Sequence, residues 1–183
     1  RNDTFASATF TGLSGGAGYY LAVGQIGDNP QVTSNPALDV DLFSVDLLAG
    51  DTINIDIDAA VQGSILDSTL VLFDSTGAVV STNMDGIAHG ELVSTDSYLS
   101  TTVSNAGRYY LGVSADANDS YNPQLQGSGA GAVSTGGYTI EISLNERNSA
   151  TFEFDAGVTL EVPEPLSLQV TNSGFFGGVS DGD

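Results

Sequence analysis

The sequence predicts an all-β protein, an antiparallel β-sandwich of jelly-roll type carrying a C-terminal extension of further strands. Three observations carry that prediction. Short segments alternate apolar and polar residues with the period of two that half-buried strands show. Turn residues punctuate these segments at regular spacing. No stretch reads as a convincing amphipathic helix, so the strand pattern has no helical competitor.

In chain order, Asn2-Asp3 precedes Phe5, a Gly15-Gly16 turn follows, and residues 19–26 read as a strand. A long loop over 27–38 contains Pro30 and Pro36. Residues 39–58 form the clearest segment. Val40, Leu42, Val45 and Leu47 alternate up to a break at Ala49-Gly50-Asp51, and Ile53, Ile55 and Ile57 resume the pattern. The stretch reads as a β-hairpin with Asp39 and Asp41 entering and Asp56 and Asp58 leaving, so a tight turn at one end leaves carboxylates at the other. Further strands are expected over 68–73, 78–82, 97–103, 108–114 and 138–144. Turns at 74–77 and 104–107 and loops at 83–96 and 116–137 connect them. This sets one domain over residues 1–144.

Charge narrows the function classes. The chain has 23 acidic residues, three arginines and no lysine, for a formal net charge of -20. Phosphate backbones and anionic lipids need cationic partners, so nucleic acid and anionic membrane are poor ligands. No segment approaches the ~20 apolar residues of a membrane-spanning helix. Divalent cations are the natural partners of so many short carboxylates in loops. With no cysteine there is neither a disulfide nor a thiolate site.

Strand order then places the acids. If each connection reverses direction, the tight turns at 48–51, 74–77 and 104–107 gather at one end. Asp39, Asp41, Asp58, Asp67, Asp85, Asp96, Asp116 and Asp119 gather at the other. Ca²⁺, with six to eight oxygen ligands, is the usual answer to such crowding. The competing role is local, each aspartate capping its own turn. Catalysis has little support: His89 is the single histidine, it sits in a Gly-flanked loop, and no nucleophile elbow accompanies it. The expectation is a non-enzyme. In the pairs Tyr19-Tyr20 and Tyr109-Tyr110, one ring of each is expected in the core and the other on the surface.

Several motifs recur in an order that resembles the bacterial pre-peptidase C-terminal domain. They are N-D-T-F-A-S-A at 2–8, D-V-D-L-F-S-V-D-L-L-A-G-D at 39–51, L-D-S-T-L-V-L-F-D-S-T-G at 66–77, N-M-D-G at 83–86, D-S-Y-L-S at 96–100, A-G-R-Y-Y-L-G-V at 106–113 and G-Y-T-I-E-I at 137–142. The resemblance implies a secreted, calcium-binding β-sandwich appended to exoproteins and related to the collagen-binding domains of collagenases. Carried over by position, Asn2, Asp3, Asp39 and Asp41 are the implied ligands. Met84 stands where the family often has an acid, and Arg1 where an acid often precedes Asn-Asp.

Residues 145–183 lie outside that resemblance. Strand-like alternation over 151–155, 158–162 and 166–170 presents apolar side chains that must be buried somewhere. The expectation is either packing on the same domain or strand addition to a neighbouring copy, which would make the chain a subunit of an extracellular filament or layer. An extracellular polymer or protein is the other expected partner.

Overall fold

The computed structural model describes residues 2–145, 149–153, 159–163 and 169–170. The chain divides into two compact units, Arg1–Asn145 and Glu146–Asp183. The first contains β1 (Thr9–Ser14), β2 (Gly18–Ile26), β3 (Asp41–Leu47), β4 (Thr52–Asp58), β5 (Ser68–Phe73), β6 (Val79–Asn83), β7 (Tyr98–Thr102), β8 (Gly107–Ala115) and β9 (Gly136–Leu144). They form a five-stranded sheet in the order β1-β3-β8-β5-β6 and a four-stranded sheet in the order β2-β9-β4-β7. Every neighbouring pair is antiparallel except β1 with β3. Among the described residues helical structure is limited to 3₁₀ turns at Pro36–Leu38 and Ala60–Gln62. The all-β expectation is met, with β1 an additional strand.

The main core follows from the alternation. Ile53, Ile55 and Ile57 of β4 and Ile140, Ile142 and Leu144 of β9 point inward from the four-stranded sheet. Phe43, Val45, Leu47, Leu70, Leu72, Leu111 and Val113 meet them from the five-stranded one. Removing this apolar surface from water is the main force that holds the two sheets together. A second, smaller cluster of Val40, Leu42, Val71, Phe73 and Tyr121 covers the far face of the five-stranded sheet. Phe5 stacks on Tyr110 with ring centroids 3.9 Å apart and meets Phe73 edge-on. β3 is therefore buried on both faces, whereas β4 is buried on one. Tyr109 lies in the core and Tyr19 is exposed as expected, but Tyr110 is half-buried beneath Phe5 and is no surface ring.

The expected hairpin at 39–58 is corrected. β3 pairs with β1 and β8, and β4 pairs with β9 and β7, so the 48–51 turn carries the chain from one sheet to the other. Alternation specifies which side chains are buried but not whether two strands lie side by side or face to face. Here the apolar sides of β3 and β4 face each other across the interior. Asp51 shapes the crossing, its Oδ2 accepting the Leu48 amide at 2.8 Å. The 104–107 turn likewise connects β7 in one sheet to β8 in the other, and the 74–77 turn closes a hairpin between β5 and β6.

The loop after β8 does more than connect. Tyr121 and Asn118 are buried beneath it against the far face of the five-stranded sheet. Tyr121 lies over Gly112, where an added Cβ would come within 1.8 Å of the phenolic oxygen, so only glycine fits at that point of β8. In the second unit β10 (Ser149–Glu153), β11 (Thr159–Pro163) and β12 (Gln169–Val170) form an antiparallel sheet in that order. The expected apolar positions Phe154, Val158, Leu166 and Leu168 fall outside the described residues.

Candidate functional site

The end of the sandwich opposite the tight turns gathers carboxylates from separate chain segments. Asp41 opens β3, and its register opposite Val113 places it near the last residues of β8. The N-terminal segment is laid along β3: the Leu42 amide donates to the Asn2 carbonyl at 2.7 Å and Asn2 Nδ2 donates to the Leu42 carbonyl at 3.2 Å. This brings Asp3 beside β3. The loop over 27–38 folds onto Asp39, whose Oδ2 accepts the amides of Gly27, Asp28 and Asn29 at 2.8, 3.1 and 3.4 Å. Asn29 in turn donates its side-chain amide to Asp3. From the other sheet, Tyr138 donates its hydroxyl to Asp41 Oδ2 at 2.6 Å.

Asp3, Asp39 and Asp41 are all buried. Burial pushes the Asp39 carboxyl up to about 6 against the pull of the Gly27 amide, and the charge on Asp3 adds to the rise. Burial pushes Asp41 up to about 7; the Tyr138 hydrogen bond opposes this, and the charges of Asp39, Asp28 and Asp3 reinforce it. Arg108, the one arginine among the described residues, is engaged elsewhere, with Nε and Nη2 each 2.8 Å from Asp46. No described cation offsets the four acids. A cleft of about 460 Å³ opens beside them, lined by Asn2, Asp3, Asp28 and Asp41 at its acidic part and by Tyr20 and Phe43 along its apolar wall.

The expected ligands therefore divide. Asn2, Asp3, Asp39 and Asp41 come together with Asp28 and Asn29, which sequence reasoning missed. The signal was present: a carboxylate followed by an amide in a Pro-rich loop directly before the Asp39 entry. Asp67 faces the charges of Asp116, Asp85 and Asp96 in a second grouping. Asp96 is a turn cap, both its oxygens accepting the Ala60 amide at 2.9 and 3.1 Å. Asp58 stands against Glu91, and Asp119 is exposed with Ser120 donating to it. Among the described residues, no three or more His, Asp or Glu side chains stand as a ready metal-holding group. His89 is exposed in the loop after β6.

The fold and the site define a β-sandwich with acidic loops at one end. Residues 39–115 match the family model of the bacterial pre-peptidase C-terminal domain, and over that span the resemblance read from the motifs is borne out. No curated protein matches the chain. Among solved structures, it is similar to a periplasmic inhibitor of g-type lysozyme from Aeromonas hydrophila, at 15% identity and a TM-score of 0.43, covering 75% of this chain and 99% of that one. It is also similar to the pre-peptidase C-terminal domain of a Bacillus anthracis collagenase, at 15% identity and a TM-score of 0.42, covering 75% and 94%. A g-type lysozyme inhibitor from Salmonella Typhimurium follows at 12% identity and a TM-score of 0.37, covering 73% and 90%. Likeness at this level says nothing about function.

Proposed function

We propose that the first unit is a non-catalytic, calcium-binding module that works outside the cytoplasm, with Asp3, Asp39 and Asp41 as carboxylate ligands and Asn2 and Asp28 beside them. The observation that supports this is the buried acidic group itself. Four carboxylates from three chain segments crowd together, burial and the neighbouring charges raise the proton affinity of Asp39 and Asp41, and no described cation answers them. The available donors are all oxygens, which suits a hard cation. Asn29 bonds one oxygen of Asp3 and leaves the other for a cation. A bound ion would supply the missing positive charge and would tie the N-terminal segment and the 27–38 loop to the start of β3. The match of residues 39–115 to the pre-peptidase C-terminal family supports the module reading.

Calorimetric titration with calcium chloride tests this. The intact protein should give a saturable heat, and Asp39→Asn combined with Asp41→Asn should remove most of it. A matched pair at the far end, Asp46→Asn with Asp74→Asn, should leave it in place. Equal loss from both pairs would reduce the effect to screening of a highly acidic chain and defeat the reading.

A further inference from the structure

The outward face of the four-stranded sheet divides its chemistry by strand. Pairing aligns Leu21 of β2 with Glu141 of β9, Glu141 with Asp56 of β4, and Asp56 with Tyr98 of β7. One step along, Val23 aligns with Thr139 and Asp58; one step back, Tyr19 aligns with Ser143 and Asn54. Because Ile53, Ile55 and Ile57 point inward, all of these residues point out. On β2 the face is apolar: Tyr19, Leu21 and Val23 are 57%, 55% and 83% exposed. Five to ten ångströms away it is anionic, given the ~4.8 Å spacing of strands. Asp56 stands among the charges of Glu91, Asp58, Glu141 and Asp96, and its Oδ1 is shielded from solvent with no hydrogen-bond partner.

We propose that this face docks a basic polypeptide segment, whose apolar side chains cover Tyr19, Leu21 and Val23 while its lysines or arginines reach Asp56, Asp58 and Glu141. Charge complementarity selects the occupant. A second copy of this chain would bring like charge against like, and nucleic acid or an anionic lipid surface would do the same. A neutral apolar partner would strip water from the half-buried Asp58 and Glu141 without replacing it, which is costly. A cationic strand satisfies both halves, since residues alternating every ~6.8 Å along an extended chain keep one face. The inference rests on the binding-module reading, because it supplies that module with a partner, but it uses none of the proposed calcium ligands.

A peptide alternating lysine and leucine is the probe, its binding to the full chain followed by fluorescence anisotropy in EDTA. Asp56→Asn with Glu141→Gln should weaken binding by about 3–10-fold, the scale of two exposed ion pairs, and Leu21→Ser should weaken it separately. Asp46→Asn with Asp74→Asn changes the net charge equally at the opposite end and should leave affinity within about twofold. Equal weakening by the two acidic pairs, no effect of Leu21→Ser, or no binding by the intact protein would each overturn the proposal. Calcium titration of the same proteins after EDTA is removed separates the two readings: no calcium heat with peptide binding kept defeats the calcium site alone, and the reverse defeats the docking face alone. Circular dichroism of each variant confirms that the sheets are intact.

Discussion

Tyr138 and Asp41 are 97 residues apart, lie in different sheets, and share a hydrogen bond of 2.6 Å inside the protein. The contact fixes the carboxylate at the start of β3 to the strand that closes the first unit. It pulls the two groups in opposite directions: burial, the Asp41 charge and the bond itself hold the Tyr138 phenol well above its usual range, whereas at Asp41 the bond opposes the rise that burial causes.

The first prediction follows from proton linkage. The Asp41 carboxyl is lifted from 3.8 to about 7 by burial, so the folded state binds its proton more tightly than the unfolded chain. Its contribution is fully present below about pH 4 and is lost as the pH rises through about 7. Without calcium, the thermal midpoint should therefore fall between pH 5 and pH 8. Asp41→Asn, which still accepts from Tyr138, should flatten that fall and raise stability at pH 8 by about 1–3 kcal/mol. An unchanged pH profile in the variant would contradict this.

Gly24 guards the same contact. An added Cβ there would stand 2.3 Å from the Tyr138 hydroxyl, so Gly24→Ala must displace the ring. A loss of about 1–3 kcal/mol is expected for the resulting strain and the orphaned hydroxyl. Tyr138→Phe, which removes the hydroxyl and leaves the space, should be milder. Denaturant melts of the two variants, compared side by side, provide the check.

At the opposite end Asp51 holds the crossing turn, accepting the Leu48 amide at 2.8 Å and the Asn145 side-chain amide at 2.7 Å. These bonds, the Leu48 amide first, depress its pKa. The stability it contributes is thus present above the ordinary carboxylate range and lost as the pH falls through the depressed value. Asp51→Ala should cost about 1–2 kcal/mol at pH 7 while leaving calcium heat unchanged, since the turn lies at the far end of the sandwich from Asp39.

Removing residues 146–183 should leave a folded unit, because both sheets of the sandwich are complete by Leu144. Light scattering of the intact and shortened chains in calcium measures whether the second unit joins copies together. A size that grows with concentration in the intact chain alone would support strand addition, and two monomers would end the filament alternative.

Much of this fold was legible because its signals are local. Ile53, Ile55 and Ile57 mark a half-buried strand within five residues, and the segment 68–73 reads correctly because the turn after it begins with Asp74, whose Oδ1 accepts the amides of Thr76 and Ala78. What escaped is non-local. Nothing near Ala49-Gly50-Asp51 says that the chain changes sheets there, and Thr9–Ser14 joins β3 in parallel with a bulge that breaks its alternation. The site was half legible for the same reason. Asp39 and Asp41 announce themselves within one motif, whereas Asp28, Asn29 and Tyr138 reach them only through tertiary folding. The run of acids at 56–58 was read as part of a single end cluster, yet its side chains belong to the outer face of the other sheet.

The double covering of β3 sets how this molecule exchanges hydrogen with solvent. Its amides are paired on both flanks, to β1 and β8, and shielded above and below by the interior and by the Phe5 and Tyr121 layer. No local fluctuation of one loop uncovers them, so deuterium should enter β3 only when the whole sandwich opens, at a rate set by global stability. The edge strands β6 and β7 lack that enclosure and should label orders of magnitude sooner. β3 thus acts as an internal clock for complete unfolding. Because Asp41 lies at its first residue, a cation bound there would slow that clock directly, without any change in the chain's average structure.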